Sequence, residues 1–269
     1  MDKDGHPDVI ALRLPSSEIP GQADMFSLQS DGEVVTKTAR LSKGLKSITH
    51  MLSGSLSDMS PAIYIEGDYS DSSVITDILT WRYGNLYNIS ANTSSGVSQD
   101  TLRSDPVYST DINSDGVVDV PFPRLLTSLS DTKYYAIDWY TYNKYGDKTK
   151  VFATYHNFSD RWYLILPDDW KNNFTVRRED TVSGERTLIF SYSVGNEKTP
   201  VDFLKIYTLS GDNKNDRAKL PGRFTLIEHG DIIYAAEILT SMTGITVNKT
   251  QITNGFKLLY SDWATGVIS

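Results

Sequence analysis

Apolar and polar residues alternate along most of this chain, and turn residues interrupt the alternation at short intervals. "ADMFSLQSDGEVVTKTARL" (Ala23 to Leu41) predicts two strands around an SDG turn, and "ITDILTWRYGNLYNIS" (Ile75 to Ser90) predicts two around YGN. Further along, "KYYAIDWYTYN" and "KTKVFATYHN" flank a KYGD turn, and "FTVRRED" and "RTLIFSYS" flank TVSGE. "FTLIEHGDIIYAAEIL" predicts a hairpin turning at His229, Gly230 and Asp231, while "RWYLILP" and "DFLKIYTL" predict single strands. Only the end changes period. In "NKTQITNGFKLLYSDW", Ile252, Phe256, Leu259, Tyr260 and Trp263 recur at steps of three and four, predicting a helix capped by Asn248 and Gln251. The expected fold class is mostly β with an α+β C-terminal part.

The N-terminal half carries a weak repeat. "DKDGHPDVIAL" (Asp2 to Leu12) and "TDINSDGVVDVPFP" (Thr110 to Pro123) both contain D/N-x-D-G-x-x-D ahead of an apolar run. A degraded copy, "SLSDMSPAIYIEG" (Ser55 to Gly67), lies between them. Asp4, Asp58 and Asp115 correspond at spacings of 54 and 57 residues, and Gly5, Met59 and Gly116 follow them. The first two copies each read as an acidic loop, a strand and then a hairpin, the order of a propeller blade, and the third is present as a loop; the half is thus either a partial propeller or a small sheet of blade remnants. These residues resemble the FG-GAP/VCBS-type repeats of bacterial surface proteins. That resemblance covers about the first 125 residues and implies a partial β-propeller-like arrangement whose loops bind calcium.

The third loop has the chemistry for such an ion. Asp111, Asn113 and Asp115 supply side-chain oxygens at alternate positions, Val117 offers a backbone carbonyl, and Asp119 closes the set. Calcium takes six to eight hard oxygens, and alternate residues of a curled loop point inward together. An EF-hand would need Glu at position 12 and flanking helices. Phe122 stands there, and Pro121 and Pro123 forbid a helix. The competing reading is an Asx-rich turn held by its own side chains. The calcium would be structural. The first loop keeps Asp2, Asp4 and Asp8; the second keeps Asp58 alone.

The repeat is lost after "PFPRLLTSLSD", which places a domain boundary at 128/129. From there the expected C-terminal unit is an antiparallel sheet with a packed terminal helix. Its "LPDDW" strand end, followed by hairpin, strand, hairpin and helix, resembles the PsbP-like fold. The resemblance spans about 135 residues and implies a non-catalytic binding or assembly module.

Composition narrows the function. The chain has 269 residues, 39% hydrophobic and 22% charged, so a sizeable core is expected. A net charge of −8 argues against nucleic acid as partner. The absence of cysteine removes disulfides, thiolate nucleophiles and Cys-based zinc sites. No apolar run reaches the ~18 residues of a membrane span. The start opens inside a motif and has no signal-peptide core. The chain therefore reads as an excised fragment; its lack of cysteine fits the cytosol and a bacterial exterior equally, and the resemblance to bacterial surface proteins implies an extracellular, cell-surface-attached lipoprotein whose signal or lipid anchor would lie upstream.

His6, His50, His156 and His229 form neither HExxH nor a close pair, and no G-x-S-x-G elbow or phosphate-cradling loop is present. Asp168 and Asp169 read as caps of a short turn before Trp170. The expected function is thus non-enzymatic, with an unidentified protein or glycan partner. The alternative is a secreted enzyme acting on glycans through the aromatic-rich C-terminal unit.

Overall fold

In the computed structural model, which describes residues 1, 5–16, 19–70, 73–104, 107–126, 132–170, 174–192, 200–239 and 245–259, strands make up 55% and helices 7%. Among the described residues the chain is mostly β, in four antiparallel sheets, none of them closed. It divides into two compact units, one containing Met1–Pro123 and Asp138–Val151, the other Arg124–Ile137 and Phe152–Tyr260. The expected boundary at 128/129 lies outside the described residues. Among the described residues, no helix is long and apolar enough to cross a membrane.

The first unit contains two meanders. Strands β1 (Asp8–Arg13), β2 (Gln22–Leu28) and β3 (Val34–Arg40) form one, and β4 (His50–Ser55), β5 (Pro61–Ser70), β6 (Ser73–Arg82) and β7 (Asn85–Asn88) form the other. The SDG and YG turns set the hairpin registers, pairing Leu28 with Val34 and Arg82 with Asn85. Strand β6 departs from simple alternation because both of its faces are covered. Ile75 and Leu79 pack among Ala23, Met25 and Ile65, while Ile78 packs with Tyr64, Val118 and Tyr142. Every side chain from Val74 to Thr80 is buried.

Two of the polar groups buried there are carboxylates, and each is saturated with donors. Asp77 of β6 accepts from Ser42 N (2.7 Å), Ser42 Oγ (2.6 Å), Ser98 Oγ (2.6 Å) and Asn88 Nδ2 (2.8 Å). Glu66 of β5 accepts from Arg103 Nη2 (2.7 Å), Thr76 Oγ1 (2.8 Å), Ser109 Oγ (2.8 Å) and Ser109 N (3.0 Å). Its second oxygen lies 2.7 Å from His50 Nδ1. Burial alone would raise its pKa. The contacts to His50, Arg103, Ser109 and Thr76 overcome that and hold it at about 2.

The three loops aligned by the repeat share one backbone feature. Gly5, Met59 and Gly116 have φ of +88°, +59° and +86°. The left-handed conformation is therefore kept at the middle position even where glycine has been replaced, with a Cβ penalty at Met59.

A further sheet contains β8 (Val120–Leu125), β9 (Tyr135–Tyr142), β10 (Lys148–Asn157), β11 (Trp162–Leu166) and, from the end of the chain, β17 (Phe256–Leu258), in the order β17-β11-β10-β9-β8. Strands β8, β9 and β10 are each divided between the two units. The remaining elements belong to the second unit. They are β12 (Phe174–Val182), β13 (Glu185–Tyr192), β14 (Val201–Leu209), α1 (Lys214–Ala218), β15 (Arg223–His229), β16 (Ile232–Ile238) and α2 (Lys249–Gly255). The five strands among them form a sheet in the order β12-β13-β14-β16-β15. The core of this unit is aromatic: Trp162, Trp170, Phe174, Phe190, Phe203 and Phe256 are each at most 1% exposed. Trp170 meets Phe203 edge-on at 4.9 Å, and its Nε1 donates to Thr246 O at 3.2 Å.

The terminal helix is shorter than its periodicity predicts. Asn248 caps it as expected, its Oδ1 accepting from Gln251 N at 2.9 Å. Helix α2 then stops at Gly255, and Phe256–Leu258 pair as a strand with β11, Leu164 opposite Phe256. The unpaired edge of β11 offers these residues ladder bonds, and an extended Phe256 reaches the Trp162 ring at 5.3 Å and the Tyr234 ring at 5.4 Å. Tyr260 and Trp263 lie outside the described residues.

Two substitutions test this account. Arg103→Met leaves Glu66 buried without its guanidinium and is expected to destabilise the fold by about 3–5 kcal/mol, read as a lower urea midpoint. An unchanged midpoint would mean that the ion pair is not structural. The folded Glu66 value lies below 4.5, so its stabilisation is full above that pH and fades as pH falls toward 2. Met59→Gly relieves a strained backbone on an exposed turn and should raise stability by about 0.5–1 kcal/mol, the difference between the left-handed penalty and the entropy of glycine. A lowered melting temperature would show that the Met59 side chain contributes more than its backbone costs.

Candidate functional site

The loop from Asp111 to Asp119 is held at its neck by backbone bonds. Thr110 N donates to Asp119 O at 3.0 Å, and Asp119 N donates to Thr110 O at 2.8 Å. The preceding residue, Ser109, is fastened to Glu66 through both its N–H and its hydroxyl. On the far side, Val118 N donates to Ser55 O at 3.0 Å. Here β4 must be glycine, because a Cβ on Gly54 would lie 2.3 Å from Val118 Cγ2. The loop is thus fixed at both ends by buried structure in the first unit.

Between these anchors the chain curls tightly, with Ser114 at φ +61° and Gly116 at φ +86°. Asp111 Oδ1 accepts from Asp115 N (3.0 Å) and Asp111 Oδ2 from Gly116 N (2.8 Å). Asn113 Oδ1 accepts from Asp115 N (3.1 Å), and Asn113 Nδ2 donates to Asp115 Oδ2 (2.9 Å). Val117 N donates to Asp115 Oδ1 at 2.8 Å. Asp111, Asn113 and Asp115 therefore gather around one turn, as their spacing predicts. Most of their bonds are the self-contained Asx bonds of the competing reading.

Asp119 behaves differently. It is fully buried, yet only one of its oxygens has a partner, the Ile112 N–H donating to Oδ2 at 3.4 Å. Among the described residues Oδ1 has none. A buried acceptor without a donor costs about 1–3 kcal/mol, more if charged. Burial pushes the carboxyl up to about 7, against the Ile112 N–H, and the charges of Asp115 and Asp111 push it in the same direction. A divalent cation would remove all three penalties. Among the described residues, no three His, Asp or Glu side chains already converge as a metal cage. The expected donor set also draws on the Asn113 amide oxygen and the Val117 carbonyl.

The sister loops retain less of this. Asp8, aligned with Asp119, also has an Oδ1 without a partner among the described residues, and its Oδ2 pairs with the Met1 ammonium. Asp2 and Asp4 lie outside the described residues. In the second loop, Asp58 Oδ1 takes Ser60 N at 3.2 Å, and Ala62 replaces the deep carboxylate.

The other candidates are tied into packing. Asp169 Oδ2 accepts from Thr246 N at 2.7 Å, and Asp168 is exposed. His156 packs beside the rings of Phe158 and Tyr163, and burial lowers its pKa to about 3. Sequence reasoning did not find the Glu66–Arg103–His50 cluster, whose members lie far apart in the chain. Nor did it single out Arg82 and its surrounding tyrosines, although a bulky Tyr83 in a hairpin turn that favours Asn-Gly was a readable signal. Compared with known proteins, the chain matches no family model, no curated protein and no solved structure.

The state of Asp119 sets a pH test in chelator. Its folded value of about 7 lies above the ordinary 3.8, so its protonated form favours folding at low pH, and that contribution is lost as pH rises through 7. Asp119→Asn mimics the protonated group. It should be more stable than the parent at pH 8 by on the order of 1–3 kcal/mol, with the gap closing toward pH 5. A gap independent of pH in thermal melts would refute the assignment.

Proposed function

We propose that the loop binds one structural calcium ion through the side chains of Asp111, Asn113, Asp115 and Asp119 and the carbonyl of Val117. The observation that carries this reading is the fully buried Asp119 carboxylate, whose Oδ1 has no partner among the described residues and which lies in the field of two further carboxylates. The ion would supply charge neutralisation, and it would lock the turn that feeds β8. Asp111 and Asp115 would each turn one oxygen inward while keeping backbone donors on the other.

In the same reading, the chain is a non-enzymatic binding or assembly module of a bacterial surface lipoprotein. Two features support this. The acidic loops precede strand-and-hairpin units, with the middle positions of all three loops left-handed. In the second unit Asp169 and His156 serve packing, and the large aromatics form core. The FG-GAP/VCBS and PsbP-like assignments belong to this proposal as its family-level part.

Calorimetric titration should find one calcium site at about 10⁻⁴–10⁻³ M. Millimolar calcium should then stabilise the fold by roughly 1–2 kcal/mol. Asp115→Ala should abolish the melting shift, and magnesium should substitute poorly because of its stricter octahedron. Absence of heat and of any melting shift up to ~10 mM calcium, well beyond that affinity range, would leave the loop an acidic turn.

A further inference from the structure

A second site lies in the first unit, where the β6–β7 turn meets the turn at 143–147. A cavity of about 270 Å³ opens there; Met1 and Pro61 contribute to its wall, and its polar and aromatic lining comes from Ser60, Trp81, Arg82, Tyr83, Lys144 and Tyr145. It is just under the ~300 Å³ at which pockets for drug-sized ligands begin, enough for one sugar ring.

Three features of the cavity are unlike ordinary surface. The first is backbone strain. Tyr83 and Gly84 both have positive φ, +50° and +73°, as a two-residue hairpin turn of the primed type requires. Asn or Gly would fit the first position without penalty, whereas a bulky aromatic there is an outlier. The Tyr83 ring is 75% exposed, so burial does not offset the strain. The second is a cation with no counter-ion among the described residues. The Arg82 guanidinium sits 4.8 Å from the Tyr87 ring centre, 5.4 Å from Tyr83 and 5.7 Å from Tyr145. Nη1 donates to Lys144 O at 3.3 Å, while the buried Nε has no partner among the described residues. The third is a neighbouring ammonium. Lys144 Nζ lies 5.4 Å from the Tyr145 ring; the nearby Asp58 carboxylate accepts from Ser60 N at 3.2 Å, and the Lys144 charge helps hold its pKa down without saturating the ammonium's three donors.

We infer that this cavity binds a hexuronate residue of an acidic glycan. Its carboxylate would take the part-exposed Arg82 guanidinium and the Lys144 ammonium, and the apolar face of its pyranose ring would lie on Tyr83 or Tyr145. A planar carboxylate matches the guanidinium edge. Exposed tyrosine rings offer an apolar surface for sugar C–H groups beside a polar tip. A long polyanion such as nucleic acid is disfavoured by the overall charge of −8, and a single carboxylate on a mostly hydroxylated ring is not. The inference rests on reading the chain as a binding module, and it is independent of calcium.

The test is titration of the full chain with methyl glucuronide and methyl galacturonide, followed by calorimetry or NMR shifts, in chelator and again in calcium. Methyl glucoside and inorganic phosphate are the controls. A ligand of about 14 heavy atoms at ordinary efficiency should bind at a dissociation constant on the order of 1 mM. The neutral glycoside should bind roughly tenfold or more weakly, as expected for loss of a charged hydrogen bond. Tyr83→Gly should raise the melting temperature, by relieving the turn, and weaken uronide binding. Lys144→Gln should weaken binding with the melt unchanged. Binding of uronide and neutral glycoside with equal affinity would overturn the proposal, as would phosphate binding as tightly as uronide. So would a Tyr83→Gly chain that melts lower or binds uronide undiminished. The same binding in chelator and in calcium keeps this result separate from the fate of the metal reading.

Discussion

The buried ion pair between Glu66 and Arg103 is the contact on which much of the first unit depends. Glu66 stands on β5 with no exposure to solvent, and five donor groups surround it. A buried charge so placed is tolerable only if every lone pair is engaged. Meeting that demand fixes the path of the chain after β7. Arg103 must lie against Thr76 and Val107, and Ser109 must present both its N–H and its hydroxyl. The calcium-loop candidate begins two residues later. Its placement is thus a consequence of satisfying one carboxylate.

Asp119 is the counterpart of Glu66 and shows the opposite balance. Both are buried carboxylates in the first unit. One has its pKa held at about 2 by donors, and the other is pushed up to about 7 for want of them. The difference is one of neighbours: Glu66 faces a guanidinium and hydroxyls, whereas Asp119 faces Asp111 and Asp115. An uncompensated group at that depth is kept where a proton or a cation completes it. The sister position Asp8 keeps the same orphaned oxygen, while Ala62 in the second loop has dropped the group and with it the cost.

Aromatic residues build core in both units, Tyr64 and Tyr142 in the first among them, but their surface role differs. In the second they stack edge-on and tilted inside the core, so their number there speaks of packing. In the first, Tyr83 and Tyr145 stand exposed around an arginine that lacks a counter-ion among the described residues. Composition alone would direct a search for ligand contacts to the richer half. Burial directs it to the other.

The sequence by itself determined the hairpins, because turn chemistry is local. SDG, YG, KYGD and HGD each impose their own backbone and set the register of the strands beside them. It determined the acidic loop as a curled unit for the same reason, and the Asn248 cap as well. The propeller-like and PsbP-like readings reach beyond such local rules to the arrangement of whole sheets, which among the described residues are open and antiparallel. Tertiary structure alone decided what required distant partners. Phe256 left the helical stripe because the edge of β11 was free to pair with it. Strand β6 became central because packed side chains cover both of its faces. Gly54 is obligatory only because Val118, 64 positions further on, packs against it. Whether a carboxylate is an anchor like Glu66 or an orphan like Asp119 is also set by donors many residues away, and no local pattern records them.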